Sequence, residues 1–132
     1  MNKLLLGFIA IYALNVYAQS PREVVQNQLE AYNAQNIGAF MKVFSDDVEL
    51  WSLGDTIPSV SGLDNVKEVY ADLFEHSPQL HSEVISRTII GNKVIDYEKI
   101  TGRLGSEENM LFLIMIYEVR DGKIFRATSI RE

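Results

Sequence analysis

The sequence predicts an α+β fold with elements in the order ααβαββββ. Two observations carry this. Helical capping signals and 3.6-residue apolar stripes precede Pro78, with a single strand among them, whereas the stretch after Pro78 has strand character throughout. The dipeptides Gly91-Asn92 and Asp121-Gly122 then mark tight turns between neighbouring strands, which makes the sheet antiparallel.

The elements follow in order. Ser20-Pro21-Arg22-Glu23 is a capping box with proline at the first helical position, opening a helix to about Ala34 with Val25, Leu29 and Tyr32 on one stripe. Asn36 can cap a short second helix carrying Phe40, Val43 and Phe44. Ser45-Asp46-Asp47 reads as a turn and Val48 to Leu53 as a strand, with Glu49, Trp51 and Leu53 on one face and Val48, Leu50 and Ser52 on the other. Gly54 to Ser61 is a loop. Ser61 and Asp64 resemble a second capping box, for a helix Leu63 to Glu75 with Val66, Val69, Tyr70 and Leu73 inward. Four strands are expected at about 80–90, 93–102, 109–120 and 123–131. Met110 to Val119 is almost continuously apolar, so both its faces need cover; a second copy of the chain is the expected cover on the outside.

The chain has 132 residues. Lys3 followed by the apolar run Leu4 to Val16, then Val16-Tyr17-Ala18 ending on a small residue, has the form of an export signal cleaved near Ala18. Residues 1–18 are therefore expected to be a signal peptide and residues 19–132 a single domain, periplasmic or secreted. The mature chain would carry a net charge of −7, which argues against nucleic acid and anionic membrane as partners. With no cysteine there is no disulfide, no lipidated cysteine and no cysteine nucleophile. Two distant histidines lack metal-ligand spacing, and neither a phosphate loop nor a dinucleotide fingerprint occurs, so no metal and no cofactor is expected.

Asp96 and Glu98 lie mid-strand and, by the period of two, on one face. A tight turn at Gly91-Asn92 sets Arg87 opposite Asp96 and Ile85 opposite Glu98, among Ile89, Val94 and Ile100. The same period carries His81 and Glu83 onto the face of Arg87, and Tyr97 onto the opposite one.

Val24-Val25-Gln26, Tyr32-Asn33-Ala34, Phe40, Val43-Phe44-Ser45-Asp46-Asp47-Val48 and the helix from Gly62 to Tyr70 resemble, in their order, the nuclear transport factor 2-like superfamily, and within it SnoaL-like and ketosteroid-isomerase-like proteins. Leu80-His81, Arg87, Gly91 and Val94-Ile95-Asp96-Tyr97-Glu98 also look typical of small SnoaL-like proteins. The resemblance spans Pro21 to Arg131. It implies a cone: a strongly curved antiparallel sheet wrapped around three N-terminal helices, enclosing a pocket, often in a homodimer. It also places Gln28, Ser52 and Met115 where the isomerase carries a tyrosine donor, its carboxylate base and a protonated aspartate. Isomerisation by that mechanism needs those groups, so the three departures argue against it.

The resemblance aims the acidic face into the pocket, where His81, Arg87, Asp96 and Glu98 would converge. The cluster reads two ways. It is an acid/base site, with Glu98, Asp96 and His81 as candidate catalytic groups, Arg87 holding Asp96 ionised and Glu98 raised in pKa; or it is a buried Arg87–Asp96 pair that fixes the hairpin, with Glu98 and His81 solvated at the rim. Tyr32, Trp51, Tyr70 and Phe74 would furnish an aromatic wall or plain core, and Gln28 a hydrogen-bond donor. The leading expectation is an exported single-domain protein whose internal pocket binds a small, partly apolar molecule, with Arg87, Asp96 and Glu98 as a polar anchor at the cavity floor and Arg87 among the ligand-binding residues. The alternatives are an acid/base enzyme of isomerase, cyclase, dehydratase or hydrolase type and a non-catalytic dimeric interaction domain.

Overall fold

The computed structural model describes residues 17–105 and 110–131; the apolar run Leu4 to Val16 of the expected signal peptide lies outside the described residues. Helix α1 (Pro21–Asn33) starts as its capping box requires: the Glu23 amide donates to Ser20 Oγ and the Ser20 amide to Glu23 Oε2. Its buried face carries Val24, Val25, Gln28, Ala31 and Tyr32. Helix α2 (Ile37–Met41) is a single turn capped by Asn36, and of its expected apolar trio only Phe40 lies on it. Val43 and Phe44 are buried beyond its end, and Phe44 opens β1 (Phe44–Ser52).

β1 therefore absorbs Ser45-Asp46-Asp47, which were expected to form a turn. Their turn chemistry survives as an irregularity: pairing with the last strand slips between Phe44 and Glu49, and Ser45 Oγ donates to Asp47. A two-residue strand β2 (Val60–Ser61) pairs antiparallel with β1 where a loop was expected. Because Ser61 is held opposite Glu49, helix α3 (Leu63–His76) is not capped by its hydroxyl. Gly62 occupies the cap at φ 87° without a side-chain bond, and Asn65 donates to the Ser61 carbonyl.

β3 (His81–Ile90), β4 (Lys93–Thr101), β5 (Met110–Arg120) and β6 (Lys123–Ile130) follow as expected, joined at Gly91-Asn92 and Asp121-Gly122. The sheet order is β2-β1-β6-β5-β4-β3. One pairing departs from expectation: β6 returns between β5 and β1 and runs parallel to β1, so the curved sheet is mixed rather than wholly antiparallel. Local turn signals report only neighbours in sequence, and this pairing joins strands some 80 residues apart.

Helix α1 lies against β3 to β6, while α3 packs on β1, β2 and α2. The core is aromatic at its centre. The fully buried Phe40 ring is 4.6 Å from Tyr70, 4.9 Å from Phe44 and 5.4 Å from Phe74, all tilted or edge-on, as ring quadrupoles favour. The end of α1 is tied to β3 by side chains that imitate backbone. Asn33 accepts from the Ser82 amide at 2.8 Å and donates to its carbonyl at 2.9 Å, giving this stretch of the edge strand a ladder partner. Gln35 Nε2 reaches the carbonyls of Ser77, Pro78 and Leu80.

Candidate functional site

A cavity of about 210 Å³ opens between the concave face of the sheet and the helices. Its wall combines Leu29, Tyr32, Tyr70 and Leu73 from the helices with Leu50, Ile100, Leu113, Met115 and Ala127 from the strands. Gln28, Ser52 and Met115, which take the places of the isomerase's catalytic groups, all border this cavity.

The charged lining consists of Glu98, Arg103 and Arg131. Glu98 is 5% exposed. It accepts from Tyr117 Oη at 3.1 Å and Ser82 Oγ at 3.3 Å. Two hydroxyl donors favour the carboxylate, but burial outweighs them, and with the added repulsion of Asp96 it pushes the Glu98 pKa up to about 7. The surrounding tyrosines respond to the same conditions. Burial, with the Glu98 charge second, pushes Tyr70 up to about 12 and raises Tyr117 well above its ordinary value. They remain neutral hydrogen-bond donors across the physiological range.

The Arg87–Asp96 register is as expected, and the pair is a fork: Nε to Oδ1 at 2.7 Å and Nη2 to Oδ2 at 2.8 Å, with Nη1 donating to Gln26 on α1. Asp96 is 1% exposed. The expected anchor of Arg87, Asp96 and Glu98 is reduced to one residue: neither Arg87 nor Asp96 borders the cavity, so this pair locks the β3–β4 hairpin to α1 while Glu98 alone of the two acids faces the hollow. Among the described residues, no group of three or more acids and histidines is placed to hold a metal ion.

His81 does not join the cluster. A β-bulge at Ile85 interrupts the alternation in β3, so that Val84, not Ile85, stands opposite Glu98. Below the bulge Ser82 turns inward, buried at 3% exposure, and His81 and Glu83 turn out to solvent; Ile85 itself is half exposed. Strict period two assigned His81, Glu83, Ile85 and Arg87 to one face, and one inserted residue reverses the lower part of that assignment.

The aromatic residues divide. Tyr32 and Tyr70 border the cavity; Phe74 is packed against Phe40 and Tyr32 in the core, away from the hollow. Trp51 belongs to the cavity's edge through its position in β1. Its ring, however, shares the outer face with Glu49 and stacks under the Arg126 guanidinium 5.2 Å from the centroid. Trp51 is thus among the cavity's lining residues, with its ring also engaged by Arg126.

Among the cavity groups that escaped the sequence reading are Ser82, Tyr117, Arg103 and Arg131. Tyr117 was within reach, since it shares the period-two face of Met115 in β5. Ser82 needed the bulge to be known. The arginines sit just past the ends of β4 and β6, where alternation gives no direction.

A family model of the SnoaL-like domain matches residues 25–127. No curated protein matches the chain. Solved structures that resemble it include an uncharacterised cystatin-fold protein from Novosphingobium aromaticivorans, with TM-score 0.76 and 21% identity over 86% of this chain and 99% of that one. An NTF2-like protein of unknown function from Cytophaga hutchinsonii gives TM-score 0.71 and 14% identity, over 89% and 94% of the two chains. An epoxide hydrolase from M. tuberculosis, described as LEH-like, gives 0.70 and 14%, over 85% and 82%. At these identities the likeness is one of fold.

Proposed function

The chain belongs to the SnoaL-like domain family, and from that premise we propose that it binds a small, partly apolar molecule in the cavity, with Glu98 as the polar anchor. The observation that carries this is Glu98 itself. A buried carboxyl raised to about 7 is a cost to the fold, and its hydroxyl partners leave it bordering a hollow whose lining is mixed polar and apolar. The size of the hollow, about seven waters' worth of liquid volume, suits a ligand of roughly single-ring dimensions.

The same observation favours a second reading. A carboxyl that is half protonated near neutrality is poised to take and return a proton, so Glu98 serves as the general acid/base of an isomerase, cyclase, dehydratase or hydrolase. Asp96, committed to Arg87, supports that group rather than competing with it.

Calorimetric titration of the purified protein with small aromatic and medium-chain aliphatic compounds tests the first reading. Wild type is expected to bind, and Met115→Trp, which fills the cavity, to bind at least about tenfold more weakly with the fold intact by circular dichroism. No binding by wild type, or equal binding by both proteins, overturns it. If a bound compound is converted, Glu98→Gln keeps binding and loses turnover under the second reading; retained turnover removes Glu98 from the chemistry.

Two wider features belong to the proposal. The mature protein is exported, which intact-mass measurement of material outside the cytoplasm checks by a chain starting at Gln19. It is also a homodimer, through the outer face of the sheet.

A further inference from the structure

Resting on the ligand-binding reading above, we propose that the cavity selects a small primary carboxamide. Its carbonyl and one N–H pair side by side with the amide of Gln28, and its second N–H turns to Glu98. The observation behind this is Gln28. Its side chain is 6% exposed and borders the cavity, and among the described residues none donates to its amide or accepts from it.

The amides around it behave differently. On the same helix Gln26 donates to Glu30 and accepts from Arg87. Asn33 takes both backbone groups of Ser82, and Gln35 reaches three carbonyls ahead of β3. Those three serve the fold. Gln28 is more deeply buried than any of them yet makes no such tie. Burying an amide without a partner opposes folding, so one that is retained beside a hollow points to a partner that enters the hollow.

The surroundings fit a carboxamide with an apolar body. Gln28 lies one helical turn before Tyr32 on the buried face of α1, so the two side chains follow one another along the helical wall. The strand wall supplies Glu98 and, beside it in register, Leu113, with Met115 two residues further on the same face of β5. A glutamine amide presents an acceptor and a donor in one plane, and a ligand with the complementary edge makes two near-parallel bonds to it. A primary carboxamide has that edge and keeps a further N–H. Glu98 has room for it, because Tyr117 engages one carboxyl oxygen and Ser82 the other, each by a single bond. A carboxylate would bring acceptors alone and set a second charge beside Glu98. An amine would bring donors alone. A ketone would leave the Gln28 carbonyl unpaired.

The test uses pairs of nearly equal shape that differ in the amide edge: benzamide and acetophenone, hexanamide and 2-heptanone, titrated calorimetrically into the purified protein. Each amide is expected to bind at least about tenfold more tightly than its ketone, which leaves a buried acceptor unpaired. N-methylbenzamide should rank with the ketones, since in the trans amide its remaining N–H points away from its carbonyl. In Gln28→Leu the preference should fall below about twofold. Without ligand that variant should melt no lower than wild type, because the fold loses no hydrogen bond. Equal binding of amides and ketones overturns the amide selectivity and leaves the cavity reading standing. A preference that persists in Gln28→Leu overturns the assignment to Gln28. A variant that melts well below wild type without ligand overturns the unpartnered amide on which that assignment rests. If no compound binds, the cavity reading fails, and this inference with it.

Discussion

Glu98 is held in a site that opposes its charge, and this makes it the residue whose substitution is most informative. Its folded pKa of about 7 stands above the ordinary value of 4.5. Between those limits the folded protein binds more protons than the unfolded chain, so stability falls as pH rises through that window and levels off above it. The full effect is on the order of 3 kcal/mol. The groups facing Glu98 are Ser82 from β3, Asp96 and its partner Arg87 along the hairpin, Tyr117 from β5, Tyr32 and Tyr70 from the helices, and the two arginines at the mouth. None of the tyrosines ionises in this range, so the window belongs to Glu98. Glu98→Gln keeps the shape and removes the titration. Its urea-denaturation stability is expected to exceed wild type at pH 8, with the difference vanishing towards pH 4.5; parallel stability curves for the two proteins would refute the buried, raised carboxyl. At this scale the site was half legible in the sequence. Two acids two apart in a strand, with an arginine opposite one of them, announced a special face, and Arg87 did find Asp96. The division of labour was not legible, because which acid borders the hollow depends on where the helices lie.

The elements decide which side chains reach the cavity, and they do so through irregularities. Strand positions could be read from composition and turns. The bulge at Ile85 could not, since Ile85 is as good a strand residue as its neighbours and only the paired geometry shows that it is inserted. Gly102 is a second such device. It sits at φ 76° at the end of β4, and an added Cβ would lie 1.9 Å from the Gln79 carbonyl oxygen. Backbone meets backbone there, so no side-chain adjustment relieves the clash. Gly105 has a comparable φ of 79° with nothing near its missing Cβ. Gly102→Ala is therefore expected to cost about 2 kcal/mol or more beyond Gly105→Ala, because the second variant isolates the backbone strain alone. Thermal denaturation compares them, and equal losses would show that the close approach to Gln79 does not constrain the chain.

At the scale of the whole molecule, the helices cover only the concave face of the sheet. The convex face presents Tyr97 from β4 and Met110 and Phe112 from β5, each more than a third exposed, with Ile114 and Ile130 beside them. Tyr97 and Phe112 already pair across the strands at 6.0 Å. Exposed apolar side chains grouped on one sheet face mark a candidate interaction surface. The same face carries both signs of charge close together, with Arg126 between Glu49 and Glu118 at 3.7 and 3.8 Å. A face with acids beside a base can meet its own copy across a two-fold axis, each arginine reaching the other copy's acids. The near-continuous hydrophobicity of Met110 to Val119 made this expectation available from sequence, and the structure adds that the inner half of that strand faces core and cavity while the outer half is open. Phe112→Glu places a charge at the centre of the apolar patch on a side chain that touches neither core nor cavity. In sedimentation velocity the wild type is expected to run as a dimer and Phe112→Glu as a monomer with unchanged circular dichroism. Ligand affinity should be nearly the same in both, since the cavity lies on the other side of the sheet. A monomeric wild type at micromolar concentration would leave the convex face without a second copy to cover it, and the dimer proposal would fall while the cavity proposal stood.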